Sequence, residues 1–538
     1  MPKATKSVPP GCNPPGVSDP RALACFDLRF TRATKQAQVA IPTHKNNGDE
    51  SKYPTKIGTY TKCVLQDSPC LVNLAAYKLF RDATHSGNFD DFEKVPLGGT
   101  RTLNGPEGAY AFPMEGTDGW QFGSDSSPEN QESAVIVPPP PALASEAYGT
   151  ELTELYWCAL LRDTSFTAYA TDPTAIAAAK ELSGMPTYMG PKDAHGKVTP
   201  DLLFRGIYQG ETTGPYISQL FLVPTNMGAQ QISQRVNTYV AGLDYMTYLP
   251  LWEAVQNGQD TGLMNQSDPT PRYLHNGRGL ASYTHVDELF QAYFTAYLAM
   301  ETLKIPTNQG SPYKKSKTQN GFGTFGPPDF AATLAQVAKI ALNAVWYQKW
   351  VVHLRHRPES GGGIVHLIKE NQGSGLGGSV NKNVLNSNAV QQSFNRYGSY
   401  LLSQAFPEGS PAHPAYPTGH GTVGGACITV LKFFYDGDAP ISQPMMPSPD
   451  GTSLLPYSYT STDAIPMTVN GELNKLARNI TFGHGIHAGI HWRTDSDASM
   501  LLGEAIAISV LQDLAKTYKE RFKVRITKLD GSAASISN

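Results

Sequence analysis

This sequence predicts a mostly α fold, with helices joined by long loops and minor β structure. Long segments repeat apolar residues at helical spacing. Strand-like alternation is scarce. The 50 glycines and 41 prolines among 538 residues supply many shaped connections.

The elements follow in chain order. Residues 1–70 are rich in Pro, Gly, Lys and Asn with little periodicity, and read as an arm wrapping a core or a partner subunit. A first strong helix is expected over 145–162, where Leu152, Leu155, Tyr156, Ala159 and Leu160 recur at helical spacing. A second covers 173–182, with Asp172 as N-cap. A third covers 286–303. A fourth, 328–354, carries Leu334, Val337, Ile340, Leu342, Val345 and Trp346 and is expected to be deeply buried. Helices over 422–434 and 499–518 follow, and 522–529 reads as one short strand. The Gly-rich stretch 360–383 reads as a long loop that covers or shapes a site. The stretch 304–326, rich in Pro, Gly, Lys and Asn, marks a boundary. It places an N-terminal helical domain at 71–320 and a C-terminal one at 321–538.

Composition narrows the function classes. The net charge of −3 gives no global basic field for nucleic acid or an anionic membrane, so an anion site has to be built locally. No uninterrupted apolar run of about 18 residues marks a membrane span. The first residues lack the apolar stretch of a secretory signal, so the expectation is a soluble protein, cytoplasmic or secreted with its signal removed. The six cysteines, at 12, 25, 63, 70, 158 and 427, lack the paired spacing of a thiolate metal site. Cys158 and Cys427 read as buried thiols. Cys12, Cys25, Cys63 and Cys70 allow one or two disulfides, with free thiols the simpler expectation.

Three segments carry chemistry. Lys349, His353 and Arg357 are spaced four apart and share one face of a continuous helix. They read either as a solvated helix end or as a set of cations gathered around an anion. Pro358 pushes Arg357 towards an extended conformation at a helix terminus. The second segment is Tyr416-Pro417-Thr418-Gly419-His420-Gly421, just before an apolar helix. Thr418 is a candidate N-cap. The same N-terminus, with a hydroxyl and a glycine that permits close approach, suits a tetrahedral oxyanion. His420 falls in the first turn, and His413 lies on the loop that frames it. The third segment holds His484, His487 and His491 at helical spacing. They form either a three-histidine metal face or, because glycines interrupt the helix, imidazoles that point apart. Asp495 and Asp497 orient a histidine or cap the next helix.

Together these segments resemble the vanadium-dependent haloperoxidases, which share a core with the type-2 phosphatidic acid phosphatases. The family pattern is Lys, seven residues and Arg-Pro; then Pro-Ser-Gly-His; then an Arg ahead of Gly-[Val/Ile]-His-[Trp/Tyr]-Arg-x-Asp. Here these read Lys349 to Arg357-Pro358, Pro417-Thr418-Gly419-His420, and Gly489-Ile490-His491-Trp492-Arg493-Thr494-Asp495. Phe406-Pro407-Glu408-Gly409-Ser410-Pro411, Leu501-Leu502-Gly503-Glu504 and Pro96-Leu97-Gly98-Gly99-Thr100 extend the likeness, which is closest to the algal bromoperoxidases and related bacterial enzymes.

The resemblance implies two four-helix-bundle-like cores, a homodimer or higher homo-oligomer, and a vanadate cofactor, with phosphate as a possible occupant. It implies His491 as the apical vanadium ligand, and Lys349, Arg357, Thr418, Gly419, His420 and His484 around the equatorial oxygens. His420 is implied as the acid–base group and Lys349 as the polariser of bound peroxide, with His413 a further catalytic candidate. Hydrogen peroxide, halide and a small organic molecule are the implied partners. Two positions differ from the pattern. Thr418 replaces the family serine. The arginine expected six residues before His491 is Gly485, or His484 if one residue is inserted. A cradle short of one permanent cation leaves three other readings. One is a vanadate-independent homologue performing acid/base isomerisation or rearrangement. Another is a phosphatase with His491 as nucleophile. The last is a non-catalytic anion-binding protein.

Overall fold

The computed structural model describes residues 20–24, 26–28, 31, 44–67, 71–96, 137–373, 375–459 and 466–538. Among these the architecture is helical, with strands confined to two-stranded antiparallel hairpins. The principal helices are α1 (Leu74–Ser86), α2 (Glu146–Leu160), α3 (Pro173–Ser183), α4 (Gly277–His285), α5 (Gln291–Thr302), α6 (Pro327–Tyr347), α7 (Pro358–Lys369), α8 (Asn388–Tyr397), α9 (Gly419–Phe434), α10 (Val469–Phe482) and α11 (Arg493–Ala515). Near the C-terminus β1 (Lys523–Thr527) pairs with β2 (Ala533–Ser537).

Local chemistry explains the helix starts. Ser145 accepts from the Tyr148 N–H, and Asp172 accepts from Thr174 and Ala175 ahead of α3. Asn73, Ser387 and Thr468 cap α1, α8 and α10 in the same way.

Helix α9 is the axis of the core. All sixteen of its residues are buried, as suits a helix that is apolar on every side. It packs against α6, α10 and α11. The crossing with α11 depends on glycine. A Cβ on Gly425 would lie 2.0 Å from the Met500 carbonyl oxygen, and one on Gly503 would lie 2.0 Å from that of Thr422. Helix α11, with 23 residues, has the length and mean hydropathy of a membrane span. Its interior face is committed to α9, and Arg493 in its first turn is ion-paired to buried Glu154.

Several expected elements are corrected. Residues 286–303 are not one helix. α4 ends at His285, Val286 is exposed, and α5 begins only at Gln291. Residues 360–383 are not a continuous loop, because α7 runs through Gly361, Gly362 and Gly363. Those glycines serve close packing. Side chains there would fall 2.5 Å from the Tyr148 hydroxyl, 2.6 Å from Leu402 Cβ and 2.2 Å from Trp252 Cζ2. The helix expected over 328–354 changes to a π-turn at Gln348–His353 and ends at Leu354, whose φ is 46°. The expected single strand at 522–529 is half of a hairpin.

Of the expected arm, residues 44–67 lie against the body of the fold. Tyr60 and Val64 are buried, and the Tyr60 N–H donates to Leu354 O at 2.8 Å. Cys63, Cys158 and Cys427 are buried free thiols. Cys12, Cys25, Cys70 and residues 97–100 lie outside the described residues.

A methyl group at either crossing glycine forces α9 and α11 apart. Gly425→Ala and Gly503→Ala are each expected to cost about 1–3 kcal/mol. Each should lower the apparent thermal midpoint, which circular dichroism reads. An unchanged midpoint in both variants contradicts the described crossing.

Candidate active site

The site forms where two π-turns, one loop and the start of α9 converge. The first π-turn, Gln348–His353, carries Lys349, which is fully buried. Its Nζ donates to the carbonyls of Pro414 at 2.8 Å and Ala415 at 3.0 Å. Because the helix breaks at Leu354, Lys349 and Arg357 do not meet along one helical face. Arg357 is the extended residue preceding α7, with φ −80° and ψ 155°, as the following proline dictates. The guanidinium donates to His413 O at 2.8 Å and Ile490 O at 3.0 Å. It also contacts His413 Nδ1 at 3.0 Å and His491 Nε2 at 2.8 Å. His353 points elsewhere, edge-on to Tyr416.

Partners fix the His491 tautomer. Arginine only donates, so Nε2 accepts from Arg357, and Nδ1–H donates to Asp495 Oδ2 at 2.9 Å. Asp495 also accepts the Trp492 N–H at 3.1 Å and the Arg355 guanidinium at 2.7 Å. Arg355 in turn reaches Glu151 at 2.8 Å. The Nε2 lone pair of His491 is thus presented beside the Arg357 cation. Of the two aspartates singled out from sequence, Asp495 does both proposed jobs, orienting a histidine and capping α11. Asp497 does neither and pairs with Arg478 at 2.6 Å. Arg478 is further held by Glu211 at 2.9 Å.

The N-terminus of α9 supplies the remaining surface. Thr418 occupies the cap position, yet its side chain does not cap the helix. Its hydroxyl is buried and has no hydrogen-bond partner among the described residues. The methyl turns inward, 2.8 Å from where a Gly421 Cβ would stand. Space beside Gly419 is bounded by Leu342 and Trp346, at 3.5 and 3.7 Å from a built Cβ. His420, in the first turn, meets Asp287 Oδ1 through Nε2 at 3.0 Å. It stacks on His484 with ring centroids 3.7 Å apart, and His484 lies 5.7 Å from the His491 ring.

The three-histidine metal face does not form. His484 sits in the π-turn Gly483–His487, which turns His487 away to Cys158 Sγ at 3.1 Å and the Tyr216 hydroxyl at 2.8 Å. No group of three His, Cys, Asp or Glu residues able to hold a metal ion occurs among the described residues.

The electrostatics agree with an anion site. Burial, first, and then Arg357 and Lys349 hold His413 and His491 well below the ordinary histidine range. Burial and the neighbouring His420, His491 and Arg357 do the same to His484. Burial keeps these imidazoles neutral at pH 7, while Lys349 and Arg357 bring positive charge to the site and Asp495 and Asp287 bring negative charge to His491 and His420. A bound oxyanion would relieve that field.

Sequence reasoning placed Lys349, Arg357, His413, Thr418, Gly419, His420, His484 and His491 in this site, and the structure brings them together. It missed Asp287, Arg355 and Glu151. Asp287 lies 133 residues from His420, and no local spacing links them.

A sequence-family profile described as the VCPO second helical-bundle domain matches residues 329–520. The chain is 30% identical to the vanadium-dependent bromoperoxidase of Corallina officinalis, with 96% of this chain and 98% of that protein covered. It is 31% identical to the vanadium-dependent bromoperoxidase of Ascophyllum nodosum, over 94% and 90% of the two chains. A solved structure, the homohexameric second vanadate-dependent bromoperoxidase of Ascophyllum nodosum, superposes with a TM-score of 0.87. It is 28% identical and covers 99% of this chain and 94% of that one.

Buried neutral histidines make stability depend on pH. Burial holds His353, His356 and His487 down to about 3, against about 6.5 unfolded. Their contribution is complete above about pH 6.5. It is lost as pH falls, because the unfolded chain then takes up protons that the fold refuses. Denaturant midpoints measured from pH 7.5 to 5 are expected to fall steadily. A flat or rising profile contradicts this description.

Proposed function

As the chain belongs to the vanadium-dependent haloperoxidase family, we propose that it binds vanadate in this cradle and uses hydrogen peroxide to oxidise a halide, bromide first. The observation that carries the reading is the pairing of two groups. One is the buried Thr418 hydroxyl, without a hydrogen-bond partner among the described residues, at a helix N-terminus that no side chain caps. The other is the acceptor nitrogen of His491, presented beside Arg357. Vanadate would answer both, because an oxygen would accept from the Thr418 hydroxyl while the metal would take the Nε2 lone pair of His491.

The residues present fit the group. His491 would hold vanadium through Nε2, with Asp495 keeping the proton on Nδ1. Lys349, Arg357, the Thr418 hydroxyl and the Gly419 N–H would hold its oxygens. When bound, vanadate supplies a Lewis acid that activates peroxide towards halide with no change in its own oxidation state.

The chain's own part is proton management and charge. Asp287 accepts from His420 Nε2–H, leaving Nδ1 as the basic nitrogen, and the carboxylate steadies the imidazolium formed when Nδ1 takes a proton. Lys349 and Arg357 keep positive charge where negative charge develops. Burial of the whole set, with Trp346 against the His413 ring at 4.7 Å, limits water.

His484 takes the place of the family arginine, and the π-turn at 483–487 is a backbone form that accommodates one extra residue in a helix. A neutral imidazole stacked on His420 replaces a permanent cation, so vanadate is held by fewer charges. Assembly into a homo-oligomer is part of the proposal and is supported by the homohexameric structural neighbour.

Equilibrium dialysis with orthovanadate is expected to give one vanadium per chain, and the loaded protein is expected to brominate a phenol with bromide and peroxide. His491→Ala should abolish both. Stoichiometric vanadium with no bromination refutes the halide reading. Absence of vanadium from pH 5 to 8 refutes the cofactor and leaves acid/base chemistry by the histidines. A second expectation concerns charge. Thr418→Ser with His484→Arg should tighten vanadate binding on the order of tenfold, as about 1.4 kcal/mol of added attraction gives. Unchanged or weaker binding by the double variant refutes the placement of His484.

A further inference from the structure

The stretch 304–326, which composition marks as a boundary, closes over an aromatic recess. The recess holds about 240 Å³, below the range of drug-sized sites and enough for one small group. It lies well away from the cradle. Phe434 and Tyr435 line it from the C-terminal end of α9, whereas the cradle uses the start of that helix, which at sixteen residues is about 24 Å long. Tyr297 and Glu301, one helical turn apart on the same face of α5, form a second wall, and Phe330 of α6 a third. Phe325 closes the set.

The rings form a connected cage. Tyr297 stacks on Phe330 with centroids 4.2 Å apart and planes 27° from parallel. Phe434 stands edge-on to Phe330 at 5.7 Å, and Tyr435 lies 6.2 Å from Tyr297. Phe325 is 6.2 Å from Phe434 and is held there by a strained backbone, with φ 55°. A bulky residue keeps that left-handed conformation only where its surroundings impose it, as they do at ligand clamps. Here the Phe325 N–H donates to Asp329 Oδ2 at 2.8 Å, and its ring packs on Phe522 at 4.8 Å. The neighbouring Phe322 turns outward, 73% exposed.

Charge sets the ligand class. Glu301 is exposed at the rim, where its carboxylate accepts from the Tyr435 hydroxyl. It is in no ion pair among the described residues. Lys314 reaches the same rim, but its Nζ donates to Thr307 O at 3.0 Å. Two helices, α5 and α9, end at the recess, and helix C-termini carry partial negative charge. α6 begins there, yet Pro327 and Pro328 have no N–H to offer and Asp329 stands in its first turn. Ring faces, helix C-termini and a carboxylate together favour a cation. Apolar walls suit a cation sheathed in methyl groups, which gives up little hydration on entering. We propose that this cage binds a small alkylated ammonium ion, with its methyl groups against the Tyr297, Phe330 and Phe434 rings and its charge towards Glu301.

The test needs no vanadate, so its failure leaves the haloperoxidase reading untouched. The full-length protein is titrated with choline by calorimetry in low-salt buffer. Saturable binding of one equivalent per chain is expected. The neutral analogue 3,3-dimethyl-1-butanol, which has the same shape with carbon in place of nitrogen, should bind about tenfold weaker or worse. Glu301→Gln keeps an acceptor for the Tyr435 hydroxyl and removes the charge at an exposed position. It should weaken choline by about threefold while leaving the circular dichroism spectrum unchanged. Lack of saturable binding overturns the proposal. So does equal affinity for the neutral analogue, or an unaltered dissociation constant in the Glu301→Gln variant.

Discussion

The carboxylate of Asp495 holds the site together. One oxygen receives Nδ1–H of His491 and the N–H of Trp492, and the other receives Arg355, which is itself tied to Glu151 on α2. A single buried charge therefore fixes a tautomer, starts α11 and joins two distant helices. Removing one partner from such a set leaves an uncompensated buried charge, which is far more costly than the pair is stabilising. The cradle depends on this. His491 can offer a lone pair at Nε2 only while Nδ1 keeps its proton, and Asp495 is what keeps it there.

The rest of the fold delivers the other cradle groups to that point. α9 brings Thr418, Gly419 and His420 on one helix N-terminus, and glycines at its crossing with α11 let the two helices approach closely. Two π-turns supply Lys349 and His484. Such turns change the facing of a residue without ending the chain's course, and they recur where side chains must be aimed. Behind them, Lys62 reaches Glu359 at 3.0 Å and the carbonyls of Glu408 and Ser410, clamping the loop that leads to His413.

The sequence made the helices with strong periodicity and clear caps legible, such as α2 with Ser145 and α3 with Asp172. It misled wherever glycine had two uses. Gly361, Gly362 and Gly363 suggested a loop, but they are helical because Tyr148, Leu402 and Trp252 leave no room for a side chain. The spacing of Lys349, His353 and Arg357 suggested one face, which the π-turn and the left-handed Leu354 abolish. The cradle residues were legible because they lie in three compact motifs. Asp287, Arg355 and Glu151 were not, since their roles arise only from contacts between segments far apart in sequence. Thr418 looked like a cap, but its hydroxyl is buried, does not cap the helix and has no partner among the described residues.

The account turns on whether a tetrahedral oxyanion seats between His491 and the start of α9. A crystal structure of the protein loaded with orthovanadate decides this most directly. The account predicts vanadium bonded to His491 Nε2, with a vanadate oxygen within hydrogen-bond reach of the Thr418 hydroxyl and another beside Arg357. Vanadium density away from His491, or a Thr418 hydroxyl that remains unpartnered beside it, would contradict the account.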